Sequence, residues 1–94
     1  MKTDHLQKIS TDLQQALLQL HTRHDVFSFL RDLLTADEIV ELSLRFDIAQ
    51  RLYRGHHYKD IEQETWASST TIARVAKFLK WDIGGYRRVL EKQL

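Results

Sequence analysis

The 94-residue chain has no cysteine, no proline, only three glycines and no long hydrophobic run. The missing cysteine excludes disulfides and thiolate metal sites, and it fits a reducing compartment. No proline interrupts apolar residues that are spaced for helices, and three glycines form no phosphate-cradling loop. The opening MKTDHLQKIS lacks the apolar core of a signal peptide, and nothing approaches a membrane span, so a cytoplasmic address without a membrane partner is expected. There is no nucleophile elbow and no carboxylate pair in an apolar setting; neither a catalytic site nor a cofactor is expected, and the chain does not read as an enzyme. With 43% hydrophobic and 29% charged residues, the composition is that of a globular domain rather than a disordered chain. Ninety-four residues make one domain, small enough that a second copy could supply extra core.

The net charge of +1 conceals a division. Residues 1–44 hold four Lys/Arg against seven Asp/Glu, a net −3, whereas residues 45–94 hold ten against six, a net +4. A basic C-terminal half suits a polyanionic partner, although so small a difference can also arise by chance. The local distribution is sharper. From Ser68 to Lys80 there are Arg74, Lys77 and Lys80 and no acid, while Asp60, Glu62 and Glu64 lie just before.

The apolar spacing predicts an all-α fold of about six helices. Leu6, Ile9, Leu13, Leu17 and Leu20 form one stripe, and Val26, Leu30, Leu33 and Leu34 form a shorter one after the polar break HTRHD. "TADE" at Thr35–Glu38 is a capping box that starts a helix with Ile39, Leu42, Phe46, Ala49, Leu52 and Tyr53 on one face, ending at Gly55. After "DIGGY" a last helix runs from about Gly85 to Lys92. The segments are therefore 1–34, a pair of N-terminal helices; 35–55, a central helix; 58–80, two short helices with a tight turn; and 83–94, the C-terminal helix. The first stripe lacks a partner, and packing against the same helix of a second chain would provide one; folding back on its own chain is the alternative.

The stretch YKDIEQETWASSTTIARVAKFL reads as a helix-turn-helix, in which a first helix braces a second whose N-terminal end enters the major groove. Ile61, Ile72, Val75 and Leu79 stand at the bracing positions, and Ser68 or Ser69 caps the second helix. The expected exposed face offers Ser69, Thr70 and Ala73 to base edges, with Lys59, Arg74, Lys77 and Lys80 for phosphates. The bland alternative is a helical hairpin with a solvated basic face.

Taken together, LLTADEIVELSLRFDIAQRLYRG followed by DIEQETWASSTTIARV resembles the Trp repressor superfamily, and within it the TrpR-like YerC/YecD group of DNA-binding regulators. The family pattern is a capped "LT-x-DE" helix containing "L-x-x-R-F/V", a basic-Gly helix end, then "D/E-I/L…E-x-G-A-x-x-x-T-I-x-R-V", and the match covers about Leu33 to Lys80. The resemblance implies an intertwined homodimer whose N-terminal helices exchange contacts, binding double-stranded DNA as a transcription regulator, with a reading head at Ser68–Lys80. It also implies a corepressor pocket at Thr35, Arg45 and Arg74, where the family's defining member holds L-tryptophan. This chain departs there: Val75 replaces a glycine and Phe78 a serine, filling the space and removing a polar anchor, so L-tryptophan is not expected. Arg45 is then free to pair with Glu41 or Asp47, and Arg74 to hold phosphate. Two further functions stay open, a helical dimer that binds protein and a tryptophan-responsive repressor.

Two other departures matter. Trp66 stands where the family pattern has the turn glycine. Either the turn keeps its geometry and the indole packs on a neighbouring apolar surface, or the turn is rebuilt, or the ring reaches a partner. Glu62, with Asp60 and Glu64, puts acids near the expected DNA backbone unless they face away or pair with Lys59, Arg54 or Arg74. The five histidines include His21 and His24 in "HTRH", and His56 with His57, but no third ligand is clustered with either pair, so no metal site is expected. Trp81 and Tyr86 flank "DIGG" and read as a clamp for the last helix rather than a base-stacking platform.

Overall fold

A computed structural model describes residues 2–81 and 83–93; Met1 and Leu94, at the ends of the outermost segments, and Asp82 of "DIGGY" lie outside the described residues. Seven helices form among them: α1 (Thr3–Ile9), α2 (Thr11–Leu18), α3 (Arg23–Leu33), α4 (Ala36–Tyr53), α5 (Tyr58–Thr65), α6 (Ser69–Leu79) and α7 (Gly85–Lys92). The all-α expectation holds, with one helix more than the apolar stripes indicated. Residues up to 36 and from 37 onward make two compact units.

The extra helix comes from Ser10, which splits the first stripe. Its ψ of 11° departs from helical geometry, and its hydroxyl donates to the Leu6 carbonyl at 2.7 Å while that of Thr11 donates to Lys8 at 2.9 Å. Such back-bonding competes with the helix ladder. The interruption is a single residue, because the Gln14 amide still donates to the Ser10 carbonyl. Leu20, expected in the stripe, lies beyond the end of α2. The following break is shorter than "HTRHD": Thr22 caps α3 by accepting from the Asp25 amide at 3.0 Å, which brings Arg23, His24 and Asp25 into the helix. None of α1, α2 and α3 has a buried residue; Ile9 is 67% exposed, Leu18 73% and Phe27 59%.

The second unit has the core. Ile48, Ala49, Ile61, Ala67, Ile72, Val75 and Leu90 are buried together, so α4, α5, α6 and α7 each contribute. Fully burying one isoleucine is worth roughly 1.5–3 kcal/mol. On α4 the expected face is met at Ala49, which is buried, and at Phe46, Leu52 and Tyr53, which pack against the core; Ile48 and Leu44 join them, whereas Leu42 is 44% exposed. The reason is that only the C-terminal half of α4 packs on the core; Val40 is exposed as well. The helix ends as Gly55 requires. At φ 90°, Gly55 lets its own amide reach the Leu52 carbonyl and the His56 amide reach that of Arg51, both at 3.0 Å, a Schellman closure.

A candidate nucleic-acid interface on the helix-turn-helix

α5 and α6 pack against each other through Ile61, Ala67, Ile72 and Val75, and the turn joining them is Trp66–Ala67–Ser68. Ser68, rather than Ser69, caps α6: its hydroxyl accepts from the Thr71 amide at 3.2 Å and lies 3.0 Å from the Thr71 hydroxyl. Ser68→Ala is expected to lower stability by about 1 kcal/mol, checked by thermal denaturation.

The turn keeps glycine-like geometry with tryptophan in place. Trp66 has φ 62° and ψ 11°, the only positive φ outside glycine among the described residues. Its amide donates to Glu62, and Thr65 braces the turn, donating to the Ile61 carbonyl at 2.6 Å and accepting from the Ala67 amide at 3.2 Å. The left-handed conformation costs a non-glycine residue about 1–2 kcal/mol. The indole recovers none of it by packing on this chain, for Trp66 is 91% exposed, which corrects the expectation of a covering apolar surface.

Lys59, Ser68, Ser69, Thr70, Ala73, Arg74, Lys77 and Lys80 are all exposed. Lys59 belongs to the first turn of α5, Ser68 and Lys80 bracket α6, and the other five lie on α6. Ile72, Val75 and Ala76 are buried on the opposite side, so the helix presents an acid-free polar and cationic face. Toward its C-terminal end this face continues into an aromatic ladder. Phe78 and Trp81 stack with ring centres 5.1 Å apart; the Arg74 guanidinium lies 5.9 Å from the centre of Phe78 and the Lys77 ammonium 5.8 Å from that of Trp81. Each exposed cation–ring contact contributes roughly 0.5–1 kcal/mol. The Trp81–Tyr86 clamp is therefore built differently: Trp81 turns its ring to α6, and Tyr86 packs on the core. Besides Tyr86, α7 is held by buried Leu90 and by Arg87, whose guanidinium donates to the Trp81 carbonyl at 3.0 Å.

Of the three acids on α5, Glu64 is held by Arg51, a partner not foreseen from the sequence, and Arg51 also bonds Asp47 at 3.2 Å. Asp60 and Glu62 are exposed and make no ion pair among the described residues.

A cavity of about 240 Å³ lies between α4, α6 and α7, lined by Arg45, Arg74, Val75, Phe78 and Tyr86 among others. The two expected arginines do meet there, but each is engaged: Arg45 bonds Glu41 at 3.3 Å, and Arg74 lies over Phe78. Val75 is part of the buried core, and Thr35 belongs to the N-terminal unit. Among the described residues no three His, Asp or Glu side chains come close enough to hold a metal ion, and no helix is long and apolar enough to cross a membrane.

The fold and this face define a helix-turn-helix protein. The model of the family "Trp repressor protein" matches residues 8–94, and the chain belongs to that family. It is 34% identical to the uncharacterized protein YerC of Bacillus subtilis over 93 residues, 98% of this chain and 89% of that one. Among solved structures, a TrpR-like protein from Eubacterium eligens superposes with a TM-score of 0.85 at 37% identity, over 92% of this chain and 89% of that one. A Staphylococcus aureus protein provisionally named a Trp repressor gives 0.89 at 35% identity, over 99% and 94%. The expected superfamily and its YerC-like group are thus the right ones, and the family is one of regulators.

Proposed function

We propose that this protein is a homodimeric, sequence-specific DNA-binding transcription regulator, a repressor by its family, acting without a tryptophan corepressor. The observation that carries the reading is α6, anchored by Ile72 and Val75, capped by Ser68 and free of acids along its exposed face. Ser69, Thr70 and Ala73, nearest its N-terminal end, face the base edges; Ala73 leaves room for a thymine methyl. Lys59, Arg74, Lys77 and Lys80 hold phosphates, and Ser68 sets the helix end toward the backbone. Asp60 and Glu62 oppose phosphate and reduce affinity; Glu64 is neutralised by Arg51.

The N-terminal segment, 1–34, is assigned to dimerisation. Three helices with no buried residue and with Leu6, Ile9, Leu13, Leu17 and Leu18 exposed cannot be stable without cover, and a second copy presents the same apolar stripes in return. Four phosphate-directed cations per subunit make eight in a dimer, so log K for a labelled duplex is expected to fall with log salt at a slope of about −7. Binding that ignores salt, or no binding at all, would favour the protein-binding dimer instead.

The cavity supports an effector-free regulator. At about 240 Å³ it is smaller than typical ligand pockets of roughly 300–1,000 Å³, and its Arg45 is paired with Glu41. L-tryptophan is expected to leave the melting temperature and the duplex affinity unchanged. A true ligand at a hundred times its Kd would add about 2.7 kcal/mol of stability. A raised midpoint with tighter duplex binding would establish the tryptophan-responsive repressor in its place.

A further inference from the structure

We infer that Trp66 is a DNA-contact residue that clamps the sugar-phosphate wall beside the groove entered by α6, a role that rests on the DNA-binding reading above. The indole is 91% exposed on a backbone held at φ 62°. A large apolar side chain in left-handed conformation, covered by nothing in its own chain, is stabilised by neither local preference nor packing. Its placement is nonetheless fixed. The Trp66 amide is tied to Glu62, and the Thr65 hydroxyl bridges the Ile61 carbonyl and the Ala67 amide, so the ring is presented from a braced turn.

Its position selects the partner. Trp66 lies two residues before the cap Ser68, at the same end of α6 as Ser69 and Thr70. Its exposed neighbours in the chain, Glu62, Gln63, Glu64, Ser68 and Ser69, are all polar, so no apolar run extends from Trp66 along α5 or α6 to make a protein-binding stripe. An isolated ring suits a single contact at the rim of a polar interface. Its one polar atom, the indole Nε1–H, is only a donor, and the backbone of a duplex offers phosphate acceptors alternating with deoxyribose faces on which the ring can lie.

Trp66→Gly and Trp66→Ala separate ring from backbone, measured by thermal denaturation and by anisotropy titration of the same duplex. Glycine removes both the ring and the φ strain, and is expected to raise the melting temperature by roughly 4 °C. Alanine removes the ring and keeps the strain. Both variants are expected to bind duplex about tenfold more weakly, so that Trp66→Gly gains stability while losing affinity. Wild-type affinity in both variants overturns the proposal and leaves the DNA-binding reading intact. A loss confined to glycine assigns the effect to turn rigidity and also overturns it. If the unaltered protein binds no duplex, the underlying reading fails and this inference fails with it.

Discussion

Ile61→Ala is expected to lower stability by about 3 kcal/mol and the melting temperature by roughly 12–20 °C. Ile61 is wholly buried on α5 within the cluster that also holds Ile48 of α4, Ile72 of α6 and Leu90 of α7. Shortening it removes apolar contact and leaves a void in a core where all four helices meet. Few large buried side chains are present to close around it: among the described residues, Ile48, Ile61 and Ile72 are the largest that are fully buried. Because Ile61 braces α6, the variant is expected to lose duplex binding along with stability. Ile61→Val, which removes one methylene, should cost only about 1 kcal/mol. Chemical denaturation followed by helical circular dichroism checks both values. A loss under 1 kcal/mol for the alanine variant would mean that the core is not shared in this way.

The second large effect concerns the division of labour along α6. Lys77→Ala is expected to weaken binding to every duplex alike, and to flatten the salt slope by about 1.8 per dimer, one phosphate contact in each subunit. Thr70→Ala is expected to leave that slope unchanged and to alter the preferred base at one position of each half-site, by about 1–3 kcal/mol. The contrast follows from placement. Thr70 is in the first turn of α6, at the end proposed to enter the groove, whereas Lys77 lies two turns further along with its ammonium over Trp81. Titrations at several salt concentrations, on a preferred duplex and on one altered at a single position, separate the two. Equal losses on every sequence from both variants would contradict the assignment.

The helix-turn-helix was legible because local rules and the core agree there. Ile61, Ile72 and Val75 recur at helical spacing, Ser68 is a capping residue, and all three isoleucine and valine side chains are buried where the spacing puts them. Gly55 was equally legible, since no other residue type closes a helix so readily at φ 90°. Ser10 was not. An unbroken apolar stripe carries no signal that a serine hydroxyl will turn back onto the Leu6 carbonyl and divide the helix. On α4 the spacing placed Phe46, Ala49, Leu52 and Tyr53 rightly, but it carries no signal that only the C-terminal half packs, which buries Ile48 and leaves Leu42 exposed. The site shows the same division. That the α6 cations would be exposed followed from the wheel of the helix. The Arg51–Glu64 pair joins residues thirteen apart on different helices and leaves no short-range pattern, whereas the ladder of Arg74, Phe78, Lys77 and Trp81 consists of neighbours three and four apart, a spacing the sequence does display. Trp66 was visible as an odd residue, but its exposure is a property of the fold around it.

The most direct measurement is selection of bound duplexes from a random-sequence pool at near-physiological salt, sequenced after several rounds. A dimer carrying two copies of α6 is expected to enrich a two-fold-symmetric site whose half-sites lie about one helical turn apart. A pool that stays random through successive rounds would contradict sequence-specific DNA binding, and with it the assignment of this exposed, acid-free helix as a reading head.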